Sequence, residues 1–347
     1  MKERILAQYR LDHSIRVTLA SSAALLFSCL FHLSIPYYSA YVCFNLMIRW
    51  WERVYYLTIW RTVTTALAGL LFLLIGNLLY SNVAICIVGG GLIVIAADMF
   101  GKTYNFYYPS VIFGVFFFIF GWTGIIDNAG ILDAITSLSV QTAIGTLFAV
   151  TFSQPKNRKR QYIKLMNRPH MVVPKLHLKM SEIRRSTLFS LSLIIAAGLC
   201  TLSGLPLSGD SLVPMIMLLR PEFAAGLRYG SNRTFGGVLF IFPSFILLYL
   251  LQGICSDLLV MLPIIALLLF ALAYKAIGHG HDYAFAQGAA MILVILTVGL
   301  APGSASEIFI SAYQRSFGAI LGLVISIVLI ATFYHPQSIL NLGRKNE

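Results

Sequence analysis

The chain has 347 residues, of which 58% are hydrophobic and only 11% are charged. Apolar runs recur from residue 14 to residue 333, more than any soluble core could bury, so the composition excludes a soluble fold and requires a membrane. The net charge of +12 does not indicate a nucleic-acid partner, because the basic residues flank apolar runs instead of forming one basic and aromatic surface.

Most of the apolar runs are long enough to cross a bilayer, which takes about 20 residues per helix. In chain order they lie at 14–33, 60–80, 82–100, 105–126, 131–152, 185–203, 233–251, 256–275, 282–302 and 307–333. Two shorter pieces, 37–48 and 211–219, bring the total to about twelve crossings. The predicted fold is an all-α integral membrane protein.

The basic residues set the orientation of these spans. The segment 156–185 carries ten basic residues and one acid, Glu182, and nearly all other Lys and Arg residues fall on the same side. The turns on the opposite side contain acids and no Lys or Arg: Asp127, Asp133, Asp210, Asp257 and Glu307. The positive-inside rule therefore predicts that both termini are cytoplasmic. Arg315 is the one basic residue that this topology does not place there.

The polar linker 153–184 divides the chain into two halves with the same order of elements. A first repeat is predicted at 1–152 and a second at 185–335, followed by a cytoplasmic tail at 336–347. Because each repeat has an even number of crossings, the two six-helix repeats should be parallel.

Matching motifs carry this predicted duplication. An Arg-Thr pair opens a helix rich in small residues in each half, at Arg61-Thr62 and at Arg233-Thr234. The last helix of each half has a glutamine four residues before a glycine. These positions are Gln141 and Gly145 in the first half, and Gln314 and Gly318 in the second.

The two short apolar pieces are the first pointer to a binding site. Short or Pro-interrupted segments at matching positions of a repeat mark the site in many transporters. A broken helix leaves backbone N–H groups that can hold a carboxylate, which singles out Tyr37, Ser39 and Ser211. An ordinary short helix or a re-entrant packing loop is the alternative.

Arg315 is the strongest single candidate for a substrate-binding residue. It should lie about 12 Å inside its helix, where ionisable side chains are functional candidates by default. It would bind substrate together with Gln314 and Gln141, or else snorkel outward or pair with Glu307. Arg61 and Arg233, at the inner ends of matching helices, would capture anions or serve as interface anchors.

Four acids are the candidate proton carriers, since a carboxylate in a low-dielectric setting can titrate near neutral pH. They are Asp98, Asp133, Glu307 and Asp282, with Asp133 and Glu307 at matching places in the repeats; solvated acids at span ends are the alternative. No metal site, cofactor or catalytic nucleophile is predicted. His279 and His281 lack further ligands.

These motifs resemble the fusaric-acid-resistance-like (FUSC) superfamily. The similarity rests on the duplicated plan, the two Arg-Thr pairs, the short Pro-flanked second element, and the arginine three residues before Gly318. It implies a bacterial inner-membrane efflux component driven by the proton gradient, working with a periplasmic membrane-fusion adaptor. The large cytoplasmic domains of the longer exporters are replaced here by the linker and the short tail.

The predicted function is the export of small organic carboxylates, aromatic ones included, because aromatic side chains make up 13% of the chain and can stack on a ring. The alternatives are a passive organic-anion channel and a non-transporting membrane scaffold. The predicted partners are lipid, the substrate anion, the adaptor and a second copy of the chain.

Overall fold

A computed structural model of the chain describes residues 2–50, 54–79, 83–103, 107–126, 130–153, 180–203, 215–219, 223–252, 258–277, 282–298 and 305–333. Within these ranges the chain is helical, without a β-strand. The α-helices are α1 Lys2–Leu30, α2 Pro36–Trp50, α3 Val54–Leu79, α4 Val83–Thr103, α5 Tyr107–Ile126, α6 Ile131–Phe152, α7 Met180–Ser203, α8 Phe223–Gln252, α9 Leu258–Ala276, α10 Asp282–Val298 and α11 Ala305–Phe333. A short 3₁₀ helix covers Ile216–Leu219.

Six of these helices contain a stretch long and apolar enough to cross a membrane. The stretches are Gln8–Leu30, Thr58–Gly76, Ile131–Phe152, Met180–Cys200, Gly226–Leu251 and Tyr313–Phe333. Shorter apolar helical stretches occupy Val88–Gly101, Pro109–Gly121, Val260–Ala276 and Ala284–Thr297. The prediction of an all-α protein with several membrane-type helices is confirmed, and the number of crossings stays a prediction.

The first short apolar piece is an unbroken helix, α2, which begins at Pro36. Proline suits this position because its fixed φ fits a helix and its missing N–H would have no helical partner there. The free backbone N–H groups are therefore limited to the first turn, where Tyr37 and Ser39 lie. Of the second short piece, the described part is the 3₁₀ helix and Met215 before it.

The described helices divide into two compact units by packing. One comprises Met1–Val63, Thr136–His170 and Phe235–Ala312, and the other comprises Thr64–Ile135, Met171–Thr234 and Tyr313–Glu347. Each unit takes residues from both halves of the sequence. The predicted boundaries at 1–152, 153–184, 185–335 and 336–347 therefore stay a prediction.

Each unit has its own set of neighbouring helices. In the first, α1 packs against α2 and α9, and α10 packs against the same two helices. In the second, α4 packs against α5 and α7, and α7 also contacts the 3₁₀ helix. Buried apolar side chains fill both units, Phe44 and Leu25 in the first and Phe117 and Phe189 in the second.

Candidate functional site

A group of buried polar side chains lies inside the first unit, among helices that are mostly apolar. Ser28, Ser39 and Gln141 are each 0% exposed, and Arg61 is 7% exposed. They come from α1, α2, α6 and α3 in turn. Together with two neighbours they form what we call the Arg61 cluster: Ser28, Tyr38, Ser39, Arg61, Gln141 and Thr142.

The turn between α1 and α2 brings two members of the cluster together. His32 takes a left-handed φ of 51°, and the N–H of Leu33 donates to the carbonyl of Ser28 at 3.0 Å. This is the capping pattern that stops a helix and reverses the chain. As a result α2 returns alongside α1, and Ser39 in its first turn faces Ser28.

Hydrogen bonds connect these serines to α6. The two hydroxyl oxygens of Ser28 and Ser39 are 2.7 Å apart, and the Ser28 hydroxyl donates to Oε1 of Gln141 at 3.0 Å. The Ser39 hydroxyl also reaches the carbonyls of Ala24 and Pro36, at 3.1 and 3.0 Å. Three helices are thus linked at one buried point.

The Gln141 amide is only half satisfied. Its Nε2 atom is buried and has no hydrogen-bond partner among the described residues. If the oxygen and nitrogen of the amide were exchanged, the oxygen would be the buried atom without a partner among the described residues. A buried polar group without a partner costs about 1–3 kcal/mol, so this one points to a ligand or water that completes it.

Arg61 lies on the other side of Tyr38 in the same cluster. Its Nη2 donates to the phenol oxygen of Tyr38 at 3.5 Å, and Thr142 is a hydrogen-bonding neighbour of that same phenol. A guanidinium carries only donors, and its planar fork matches a carboxylate. Gln141 directly precedes Thr142 in the sequence. The guanidinium and the Gln141 amide are the groups of the cluster that can donate hydrogen bonds to an organic anion.

Helices α2 and α6 touch directly beside the cluster, at Gly145. A Cβ atom at this position would collide with the carbonyl oxygen of Ser39 and lie 2.9 Å from Cβ of Val42. Only glycine permits this approach. The approach holds Gln141, one helical turn away, against the serines.

The predicted counterparts in the second half also have buried positions. Arg233 is 4% exposed, and its guanidinium carbon lies 5.6 Å from the ring centroid of Tyr229, which is cation–π range. The Thr234 hydroxyl donates to the carbonyl of Ala319 at 3.3 Å. In the first half, the hydroxyl oxygens of Thr62 and Thr146 are 3.0 Å apart. Burial of both arginines disfavours the interface-anchor interpretation.

The other predicted substrate residues are not members of this cluster or are not described. Gln314 and Arg315 are half-buried in α11, where they belong to the second unit. Tyr37 is half-buried in the first turn of α2. Ser211 falls outside the described residues, as does the segment 278–281 that contains His279 and His281.

The four predicted proton carriers differ in their surroundings. Asp98 is 1% exposed and accepts a hydrogen bond from Ser186, whereas Asp133 is exposed at the start of α6. Glu307 and Asp282 lie near the starts of α11 and α10, and their side chains are outside the described part. The span-end interpretation, a solvated acid, therefore suits Asp133 and does not suit Asp98.

Ser28 was not predicted as a site residue, although α1 carries a signal for it. The buried polar residues Ser14, Thr18, Ser21 and Ser28 are four, seven and fourteen residues apart from the first, which places them on one helical face. In an apolar helix such a polar face indicates packing against other polar groups.

Among the described residues, no group of three His, Cys, Asp or Glu side chains is placed to hold a metal ion. Comparison with protein-family models, with curated proteins and with solved structures gives no match.

Proposed function

We propose that the chain is a multi-pass inner-membrane exporter of small organic carboxylates, aromatic ones included, driven by the proton gradient. The observation that carries the proposal is the burial of Arg61 next to the Tyr38 phenol. Thr142, which also contacts this phenol, directly follows the half-satisfied Gln141. Both termini are cytoplasmic, and about twelve crossings form two parallel repeats.

The energetics of a buried guanidinium favour a functional role. A charged group buried among apolar side chains is costly unless it is paired and hydrogen-bonded. Such residues are retained where they bind an ion or substrate. A carboxylate would neutralise Arg61 through two parallel N–H···O bonds. The Gln141 amide would donate to another oxygen of the same anion or to its bound water.

Aromatic rings beside the cluster support an aromatic substrate. The Tyr38 and Tyr41 rings have centroids 6.2 Å apart. Tyr38 itself belongs to the cluster through its contact with Arg61. Offset and edge-on ring contacts of this kind stabilise a bound aromatic ring.

Matching contacts in the two halves support the proposed duplication. Thr62 and Thr234, the second residues of the two Arg-Thr pairs, contact the residues directly after Gly145 and Gly318. The same pair of helices is therefore joined at the same register in each half. This agreement favours two repeats, the plan on which the FUSC resemblance rests. A periplasmic adaptor, which that resemblance implies, and a second copy of the chain are the proposed partners.

Transport in proteoliposomes tests the proposed function. Purified protein would be reconstituted and loaded with radiolabelled benzoate, and an imposed proton gradient is expected to drive benzoate across the membrane. Flux that follows an imposed membrane potential without a proton gradient would indicate the passive channel instead. If neither the proton gradient nor the membrane potential drives more flux than in protein-free vesicles, the result would favour the non-transporting scaffold.

Cysteine labelling tests the proposed orientation. In a variant without its five natural cysteines, Asp257→Cys should react with a membrane-impermeant maleimide added to intact cells, and Arg158→Cys should not. The reason is that the basic linker must be cytoplasmic under the positive-inside rule. The opposite labelling pattern would overturn the orientation.

A series of substitutions at Arg315 tests whether this residue also binds substrate. If Arg315 binds substrate, Arg315→Lys should weaken benzoate transport and Arg315→Gln should nearly abolish it, because Lys offers a point charge and Gln none. If Arg315 pairs with Glu307 instead, either single change should destabilise the protein and Arg315→Glu with Glu307→Arg should restore it. Wild-type transport by a folded Arg315→Gln protein would show that Arg315 does not bind the substrate. The Arg61 cluster would then be the proposed site for the substrate anion by itself.

A further inference from the structure

The helix segments that follow Arg61 in α3 and Arg233 in α8 have the same pattern of burial. Both arginines are buried. Five exposed residues of α3 have exposed counterparts at the same distances after the arginine in α8. They are Val63, Ala66, Leu67, Leu70 and Leu74 in α3, and Phe235, Val238, Leu239, Phe242 and Ile246 in α8. The two arginines therefore hold equivalent positions in the two halves.

The last helix of each half repeats its burial pattern as well. Residues 145–151 of α6 and 318–324 of α11 are buried, half-buried or exposed at the same positions throughout. Thr142 lies three residues before the first segment, and Arg315 lies three residues before the second. Arg315 is therefore the counterpart of Thr142. The second half carries a positive charge where the first half has a neutral hydroxyl.

In the first unit, the side chains at these two positions meet at one atom. The Arg61 guanidinium donates to the phenol oxygen of Tyr38 at 3.5 Å, and Thr142 forms a hydrogen bond with the same phenol. The helices α3 and α6 thus direct these two positions toward one place.

A matching contact sets α8 against α11 in the second unit. The Thr234 hydroxyl, next to Arg233, donates to the carbonyl of Ala319 at 3.3 Å. Arg315 lies one helical turn before Ala319 on the same face of α11. This is about 6 Å along the helix axis, which an extended arginine side chain can span. By equivalence with the first unit, Arg233 and Arg315 border one place.

The charge at this place differs from the charge of the Arg61 cluster. The Tyr229 ring centroid lies 5.6 Å from the guanidinium carbon of Arg233, a contact that stabilises the charge without supplying an oxygen acceptor. A guanidinium has five N–H donors, so contacts with neighbouring groups need not occupy all of them. Two fixed positive charges favour an anion with two negative charges, whereas the single charge of Arg61 matches a monocarboxylate.

We propose that the second unit contains a separate site for a doubly charged anion, which Arg233 and Arg315 bind together. Each guanidinium would hold one edge of the anion through N–H···O bonds. The phosphodiester group of a lipid headgroup has a single negative charge, so a soluble anion such as sulfate suits the two arginines better. This inference rests on the proposed duplication of the chain, and it does not require transport of a carboxylate.

Equilibrium binding of radiolabelled sulfate to the purified protein at neutral pH tests the site. Wild type should bind sulfate saturably. Arg315→Thr gives the second half the residue that the first half carries, and Arg233→Gln removes the other charge. Each change should weaken sulfate binding at least about tenfold, because a charged donor is lost. Arg228→Gln, at an exposed arginine, and Arg61→Gln should bind sulfate with the wild-type Kd.

Competition and variant binding distinguish the alternatives. An excess of benzoate should not displace sulfate from wild type. The inference would be overturned if wild type bound no sulfate saturably, or if folded Arg315→Thr or folded Arg233→Gln kept the wild-type Kd. Weaker sulfate binding in Arg61→Gln but not in Arg233→Gln would place sulfate in the Arg61 cluster and would overturn it too.

A lipid competitor tests the choice of a soluble anion. Displacement of sulfate by dispersed phosphatidylglycerol would assign the site to a lipid headgroup and overturn that choice, whereas unchanged sulfate binding is expected. Benzoate flux is not measured in any of these assays, so the sulfate site and the proposed function can fail separately.

Discussion

Replacing Gly145 with alanine should destabilise the protein and impair transport together. The added methyl group meets the Ser39 carbonyl and Cβ of Val42, and backbone in a packed helix cannot move aside cheaply. Overpacking of this kind costs about 1–3 kcal/mol. Because α2 and α6 would separate, Gln141 would also lose its position against Ser28. Thermal unfolding in detergent measures the first effect, and benzoate flux measures the second.

Gly198→Ala is the matched control, because a Cβ atom at Gly198 in α7 would meet no other atom within 4 Å. Alanine is favoured over glycine inside a helix by about 1 kcal/mol, so this variant should be as stable as wild type or more so. If Gly145→Ala and Gly198→Ala unfold at the same temperature, the close contact between α2 and α6 is wrong.

Substitution of Arg61 should have the largest effect on transport. Arg61→Gln removes the charge and the paired donors, and benzoate flux should fall by about 10- to 100-fold, since a hydrogen bond to a charged group contributes about 1.5–3 kcal/mol. Arg61→Lys keeps the charge but not the planar fork, so it should transport at an intermediate rate. Initial rates in proteoliposomes with equal amounts of protein measure the series.

The control for Arg61 is an arginine outside the cluster. Arg228 is exposed in α8, so Arg228→Gln removes the same charge without touching a buried site and should transport like wild type. Size-exclusion profiles must show that all variants remain folded. Equal flux for Arg61→Gln and Arg228→Gln would remove Arg61 from the mechanism.

The helices were largely predictable from the sequence, because the bilayer imposes long apolar runs. The span predicted at 131–152 is the helix Ile131–Phe152, and the span predicted at 105–126 is Tyr107–Ile126. Polar residues and glycines flank both of these apolar runs in the sequence. Elsewhere helices extend beyond the apolar run, as α1 does from Lys2, because hydrogen bonding continues into residues that the hydropathy pattern leaves out.

The candidate site was predicted only in part, because side-chain contacts between distant helices leave no local signal. Arg61 and Gln141 were predicted, but Ser28 was not, and it meets Gln141 across 113 positions of sequence. The burial of an acid could not be predicted from the sequence either, because Asp98 and Asp133 both lie near the end of an apolar run. Packing of α7 against α4 buries the first, whereas the second is exposed at the start of α6.

Equilibrium binding of radiolabelled benzoate to the purified protein tests the central claim that the Arg61 cluster is the anion site. Wild type and Arg228→Gln should bind benzoate saturably with the same Kd. Gln141→Leu should bind more weakly, and folded Arg61→Gln should bind at least about tenfold more weakly. Binding of benzoate by Arg61→Gln with the wild-type Kd would contradict the claim.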